Sequence, residues 1–512
     1  MSDGLLGPAL QATAAIIFVY LVYRFLTRSR PPPALRSAAL LVLGDVGRSP
    51  RMMYHAESFA KLGFETYIVG YEGATPTASL LSLPRVRFLY LPPPPLAVRA
   101  LPFLLGAPWK VAHQCISILQ ALLVRAPHPP EYLLVQNPPS IPTLALVSLI
   151  AATRGTKVII DWHNLGYSIL ALKLGEKHLF VKLARWFEAT FGRRAYAHLF
   201  VTQAMCDFLS REWGLQGRKV VLHDRPPAHF RHAAPSDVHE LFLRLAPNLP
   251  TDFLPRYSTP YSTPMTEVKA SRTSSVDSAI TDPAMATNQL AMPVLRKDRP
   301  ALVVSSTSWT PDEDFSILLA ALSAYEHAAR SPDSKLPKLL CVVTGKGPDR
   351  DKYMAEVANL QRGTGEETPW VHVRCISLWL EAEDYPVLLG SADVGVSLHA
   401  SSSALDLPMK IVDMFGCELP VCALDFACLP ELVRHEENGL VFRTAEELAM
   451  HLQTLLRGFP SISPALRSLQ SNLRTGSHPT GNPSIGEETS WGSWDENWDA
   501  VVRPLVVHSI EN

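Results

Sequence analysis

Charge imbalance is the first thing this sequence lacks. Its 47 Lys and Arg residues stand against 48 Asp and Glu, a net charge of -1 over 512 residues. A nucleic-acid partner, whose phosphates call for a basic face, is therefore not expected. Cysteine is scarce too: the 7 cysteines form no C-x-x-C pair, and Cys417, Cys422 and Cys428 cluster beside apolar residues rather than histidines. That pattern gives neither a zinc site nor a disulfide framework, and it suits reduced thiols in a cytosolic compartment. No G-x-G-x-x-G is found, Lys346 has no Walker-type frame around it, and no Asp-x-Asp falls at a convincing strand end, so no metal ligand is assigned.

Apolar residues make up 47% of the chain and charged residues 19%, too much apolar surface for disorder and too long a chain for one core. Leu5 to Leu26 is almost uncharged, its apolar run preceding Arg24, Arg28 and Arg30, which reads as an uncleaved transmembrane anchor. The positive-inside rule puts the tail before it, with Asp3, in a lumen and everything after Pro31 in the cytosol. Residues 1-30 are thus expected to be tail and anchor.

From Ala38 the pattern becomes that of a parallel α/β sheet. Strands are expected at 38-43, 66-69, 132-135, 157-160, 199-202 and 219-222, with a helix over Pro50 to Leu62, in a first Rossmann-like domain, 38-230. Residues 231-298 read as a variable junction, with a flexible Ser/Thr/Pro-rich insertion from Thr251 to Pro293. Strands at 301-305, 339-343, 371-375, 394-398, 420-424 and 439-442 and a helix over 314-325 form a second domain, 299-456. The tail, 457-512, has a low-complexity stretch at 460-488 and a final helix within 491-507. Two such domains would face each other across a cleft, with ligands at the carboxyl ends of the strands. The apolar stretches 96-105 and 111-124 suit either core helices or a membrane surface.

The candidate residues follow from those strand ends. Gly44-Asp45-Val46-Gly47-Arg48 joins a strand to a helix, where glycines admit a ligand and free N–H groups favour an anion; an ordinary tight turn fits equally. Asp161-Trp162-His163-Asn164 follows a strand directly, and a histidine there beside an aspartate and an amide suits proton transfer or sugar binding. Asn137 ends another strand. In the second domain, Ser306 and the turn Gly345-Lys346-Gly347 occupy equivalent places, and Ser402 lies in a serine run able to offer N–H groups. Lys410 and Asp413 are three apart on one helical face, either a diphosphate and ribose pair or a surface ion pair. The acidic run Asp312-Glu313-Asp314 suits a helix N-terminus and needs no active-site role.

The strings Gly44 to Met52, Val158 to Asn164, Val304 to Trp309, Asp312 to Leu319 and Leu405 to Lys410, with Glu381 to Pro386 and His435 to Phe442, resemble the chitobiosyldiphosphodolichol β-mannosyltransferases. The resemblance covers about 38-456 and resumes at Trp494-Asp495. It implies a GT-B fold, GDP-mannose as donor, GlcNAc2-diphosphodolichol as acceptor, and inverting β1,4 transfer on the cytosolic face of the endoplasmic reticulum membrane. Other mannosyltransferases of that pathway are the partners it suggests. On this reading His163 is the favoured base, with Asp161 and Asp45 as rivals. Gly47, Arg48, Ser306, Lys346, Gly347, Ser402, Lys410 and Asp413 hold the donor, and Gly44, Asn137 and Asn164 line the acceptor site. No cofactor is required, and stimulation by Mg²⁺ is left open. A UDP-sugar donor and a catalytically silent membrane scaffold are the rival readings.

Overall fold

The computed structural model describes residues 36-96, 103-270, 290-310, 313-331, 333-363, 368-399, 405-475 and 493-507. The expected anchor, Leu5 to Leu26, and Ser402 lie outside the described residues. Among the described residues, no helix is long and apolar enough to cross a membrane. The chain divides into two compact units, 1-223 with 495-512, and 224-494.

The first unit is a seven-stranded parallel sheet. Its strands are β1 (Ser37–Asp45), β2 (Glu65–Tyr71), β3 (Val86–Tyr90), β4 (Tyr132–Asn137), β5 (Lys157–Trp162), β6 (Arg194–Phe200) and β7 (Gln216–Val221), in the order 3-2-1-4-5-6-7. The order reverses between β1 and β4, the switch point at which open parallel sheets bind ligands. Ala38 to Val42 are at most 1% exposed, so β1 is covered on both faces, which is why its sequence is an unbroken apolar run rather than an alternating one. The helices α1 (Pro50–Lys61), α2 (Phe103–Gln120), α3 (Thr143–Arg154), α4 (Gly166–Leu174), α5 (Leu179–Phe191) and α6 (Gln203–Trp213) connect the strands. Strand β3 was not foreseen, because Val86–Tyr90 is short and only partly buried.

The second unit repeats the plan. Strands β10 (Ala301–Ser306), β11 (Leu339–Thr344), β12 (Val373–Leu378), β13 (Val394–Ser397), β14 (Val421–Leu424) and β15 (Gly439–Phe442) lie in the order 12-11-10-13-14-15, all parallel. Its connecting helices include α8 (Phe315–Ala329), α9 (Arg350–Arg362), α10 (Asp384–Ser391), α11 (Met409–Gly416) and α12 (Ala445–Leu456).

Two expectations need correction. The junction read as variable and flexible carries helix α7 (Pro235–Leu245) and an antiparallel pair, β8 (Thr266–Ala270) with β9 (Leu290–Leu295). Val238, Leu241, Phe242, Phe253 and Met265 from this stretch are buried in the second unit's core, because one face of α7 is apolar and covers the sheet. Likewise the stretch 460-488 contains α13 (Pro464–Thr475), whose Leu466 and Leu469 are buried against α12.

Near the C-terminal end, α14 (Trp494–Val501) returns to the first unit, followed by the short helix α15 (Arg503–Val507). Trp498 is 1% exposed and meets the Phe59 ring edge-on at 5.4 Å, while Asn497 Nδ2 donates to the His223 carbonyl at 2.9 Å. Burying a side chain of that size contributes roughly 2–3 kcal/mol, enough to hold a two-turn helix that would not form alone.

Candidate active site

In the first unit, chemistry collects at the carboxyl end of β5. Asp161 is fully buried, and Arg51, the second residue of α1, grips it with both arms: Nε to Oδ2 and Nη2 to Oδ1, each 2.9 Å. Burial alone would raise this carboxyl's pKa, but the Arg51 charge, followed by that of His163 and its hydrogen bond, holds it well below the usual carboxylate range. His163 Nε2 lies 2.7 Å from Asp161 Oδ2, and its own backbone N–H is fixed by the Asn137 carbonyl at 2.9 Å. An ionised Asp161 accepts the Nε2 proton, so the lone pair is on Nδ1, and the ring is 22% exposed.

His55, one turn beyond Arg51, completes the cluster. Its Nε2 is 3.3 Å from Asp161 Oδ2 and its Nδ1 accepts from Trp498 Nε1 at 3.0 Å. Burial pushes the His55 pKa down and keeps the ring neutral. Neither Arg51 nor His55 was singled out from the sequence. Two basic side chains at i and i+4 on an otherwise apolar helix face, just after a strand-end turn, were the available signal.

Several expected roles change. Asp161 is not a base, since Arg51 and His163 take up both of its oxygens; it orients His163. Asp45 is also spent: Oδ1 accepts from Gly47 N–H at 3.0 Å, and both oxygens accept from Ala74 N–H. Arg48 is exposed and lies 3.4 Å from Asp45. Gly47 is glycine for packing, because a Cβ there would lie 2.1 Å from the Ala74 carbonyl oxygen. Gly44, by contrast, has open space where a Cβ would be. Asn137 is fully buried and gives Nδ2 to Glu188 Oε1 at 3.1 Å, so it does not line an acceptor groove. Glu188 also accepts from the Gly166 and Tyr167 N–H groups, fastening α5 to the start of α4. Asn164 lies just before that start, its Oδ1 accepting from Leu165 N–H at 2.7 Å.

In the second unit, a cavity of about 420 Å³ opens at the carboxyl ends of β10, β11 and β12. Ser306, Thr344, Gly345, Trp379, Tyr385 and Lys410 are among its walls. Ser306 Oγ accepts from Tyr385 Oη at 3.1 Å and from Thr344 Oγ1 at 3.3 Å. Lys410 Nζ sits 2.7 Å from Glu313 Oε1 and donates to Ser308 Oγ at 3.3 Å. Glu313 is buried; its other oxygen accepts from Ser308 N–H at 2.8 Å and from the Thr307 hydroxyl. The expectation that the acidic run serves only a helix dipole is thus overturned for Glu313, which locks the β10 loop and aims Lys410. Asp314, its neighbour, is the helix cap, accepting from Ser316 N–H at 3.0 Å. Asp312 lies outside the described residues.

Gly345, at φ +129°, would put a Cβ 1.8 Å from the Thr307 carbonyl oxygen, and Gly347 would put one 1.9 Å from that of Ser308. These glycines let two strand-end loops touch. Lys346 rests its ammonium 3.8 Å from the centre of the exposed Trp379 ring, at the cavity wall. Trp379 was missed in the sequence because a lone aromatic after a strand carries no local signature. Asp413, three residues after Lys410 on α11, is half-buried, and burial, with the Asp224 carboxylate adding to it, pushes its pKa up to about 7.

This geometry can do two things: remove a proton with an oriented imidazole, and hold an anion and a planar ring. Comparison with known proteins shows the family to which the chain belongs. Residues 47–224 match the family model "Glycosyl transferase 4-like domain", and 299–458 match "Glycosyl transferases group 1". Among solved structures, WaaG, a glycosyltransferase involved in lipopolysaccharide biosynthesis, is 12% identical with TM-score 0.52 over 91% of this chain and 99% of its own. A sucrose-phosphate synthase from Thermosynechococcus elongatus gives TM-score 0.52 at 12% identity over 86% and 93%. These likenesses establish the GT-B fold. The chitobiosyldiphosphodolichol beta-mannosyltransferase of Mus musculus is 42% identical over 97% of this chain and 94% of its own. The Homo sapiens protein of that name is 43% identical over 94% of each. UDP-glycosyltransferase TURAN of Arabidopsis thaliana is 40% identical over 92% and 97%. With relatives this similar over nearly its whole length, the chain is a glycosyltransferase and belongs to the chitobiosyldiphosphodolichol β-mannosyltransferase family.

Proposed function

We propose that this glycosyltransferase moves mannose from GDP-mannose to GlcNAc2-diphosphodolichol with inversion, forming the β1,4-linked first mannose of the lipid-linked glycan. The observation that carries the reading is Lys410, aimed by a buried Glu313 at the end of a strand-end cavity. A fixed cation there suits the diphosphate that departs as the glycosidic bond breaks. The exposed Trp379 face, with Lys346 beside it, suits the nucleobase, and Asp413 a ribose hydroxyl.

In-line displacement then needs one proton removed from the acceptor hydroxyl. His163 Nδ1 takes it, the acceptor oxygen bonds to the sugar's anomeric carbon, and the diphosphate leaves with the bonding pair. Asp161 steadies the imidazolium that results, and Arg51 keeps Asp161 ionised. No resident cofactor enters this scheme, and Mg²⁺ stimulation is a question for the same assay. The reading carries with it a single anchor in the endoplasmic reticulum membrane, the catalytic units in the cytosol, and neighbouring mannosyltransferases as partners.

The test is to give the detergent-solubilised full chain labelled GDP-mannose and a GlcNAc2-diphosphate lipid, then treat the product with β-mannosidase. A sensitive trisaccharide lipid is expected. Because one relative is named a UDP-glycosyltransferase, GDP and UDP are compared as competitors; inhibition by UDP alone would replace the donor.

A further inference from the structure

Helices α4 and α5 leave unburied what a soluble protein normally buries. No residue of α4 is buried, although seven of its nine residues, GYSILALKL, are Tyr, Ile, Leu, Ala or Gly. On α5 the inner face is settled by Val181, Ala184 and Glu188. Its outer face shows Leu179 at 74% exposure, Phe180 at 56%, Leu183 at 49% and Trp186 at 58%, and Leu172 of α4 is 65% exposed. Positions 179, 183 and 186 recur at helical spacing, so they form one stripe. An apolar patch of this kind on a soluble protein marks an interaction surface.

We propose that the α4–α5 hairpin docks on an anionic lipid bilayer, with its apolar stripe in the headgroup boundary. Charge selects this occupant. Between Gly166 and Phe187 the charged residues are Lys173, Lys177, Lys182 and Arg185 against Glu176 alone; Arg185 pairs with Glu212 of α6 at 3.4 Å, which leaves three exposed lysines against Glu176. The next acid, Glu188, is buried and committed to the Gly166 and Tyr167 N–H groups, so it does not offset them at the surface. Basic side chains around an apolar stripe with Trp186 at its edge are what a negatively charged bilayer recognises.

The placement bears on the candidate site. Only Asn164 and Leu165 separate His163 from α4, and Glu188 binds α5 to the same point through Asn137. A docked hairpin therefore holds His163 at the level of the headgroups, where the diphosphate-linked sugar of a lipid acceptor lies. This consequence rests on the proposed acceptor; the docking itself does not.

The full chain carrying Cys115→Ser and Phe180→Cys, labelled at position 180 with an environment-sensitive fluorophore, tests it, since the other six cysteines are buried. Reconstitution into phosphatidylcholine vesicles containing phosphatidylserine is expected to shift emission to the blue and make it quenchable by brominated lipid. Lys173→Glu, Lys177→Glu and Lys182→Glu together should weaken that response by at least about tenfold. Unchanged emission on reconstitution, an equal shift in phosphatidylcholine alone, or a shift that follows protein concentration without lipid would overturn the proposal. The last would point to a second copy of the chain. No sugar transfer enters this measurement, so failure of the proposed reaction would leave it standing. In an assay, Leu179→Glu with Phe180→Glu should raise KM for the lipid acceptor about tenfold and leave kcat with a short-chain acceptor in solution unchanged.

Discussion

Trp498 donates its indole N–H to His55 across 443 residues of sequence, and through His55 helix α14 bears on the Asp161 carboxylate that orients His163. The C-terminal segment is therefore part of the scaffold behind the candidate base. Trp498→Phe keeps most of the volume but leaves the buried His55 Nδ1 unpaired, and should cost about 1–3 kcal/mol in urea denaturation. Trp498→Ala adds a cavity and should cost about 3–5 kcal/mol. An unchanged urea midpoint for both would show that α14 is merely laid against the first unit.

His163→Ala should lower kcat by roughly 10²–10⁴ with the melting temperature almost unchanged, because the ring is partly exposed and its removal leaves Asp161 still gripped by Arg51. Wild-type kcat at saturating acceptor would remove His163 from the role of base.

Asp161→Asn tests the ion pair behind it. The buried Arg51 would keep its charge without a counter-charge, a loss of about 3–5 kcal/mol. The pH dependence has a definite sign. Asp161's folded pKa is depressed, so its contribution is fully present above the unfolded carboxylate value of about 4 and lost as pH falls further through the folded value. Acid titration of stability should be steep for the wild type and flatter for the variant.

Asp413 has the opposite sign. Its folded pKa, about 7, is above the unfolded value, so the folded state loses stability as pH rises from about 4 through 7. Asp413→Asn should raise stability at pH 8 by on the order of 2–4 kcal/mol, with the gain fading as pH falls and absent below about pH 4. Donor affinity should fall in the same variant. Differential scanning at several pH values, with donor binding measured in parallel, separates the two effects; a gain independent of pH would contradict the assignment.

Lys410→Met and Glu313→Gln should each weaken donor binding, but not additively. Either one alone leaves a partner uncompensated, Glu313 being buried, so the double variant should be more stable than the sum of the single losses by about 1–3 kcal/mol. Additive losses in a double-mutant cycle would show that the pair is not coupled.

Local pattern made much of this protein legible. Unbroken apolar runs such as Ala38 to Val42 gave away parallel strands, strand-end polar clusters pointed to Ser306 and His163, and helical spacing pointed to Lys410. Regions of mixed composition were misread: α13 is built from a segment whose Ser and Pro content masked one apolar face, whereas α7 lies before the Ser/Thr/Pro-rich insertion and carries its apolar face openly at Val238, Leu241, Phe242 and Leu245. The exposed stripe on α5 was invisible for the converse reason, since a helix apolar on both faces reads as core.

The sequence by itself determined the two-sheet α/β plan, the family and the strand ends at which chemistry is expected, because these depend on periodicity and on residues close along the chain. Only the tertiary structure decided which polar groups are spent and which remain available. Asp45 and Asp161 look alike as strand-end carboxylates, yet one caps a turn and the other is held by Arg51 from 110 residues away. Glu313 and Lys410, 97 apart, become a pair on the same terms. A carboxylate's role depends on its burial and on the donors that reach it, and those donors come from elsewhere in the chain.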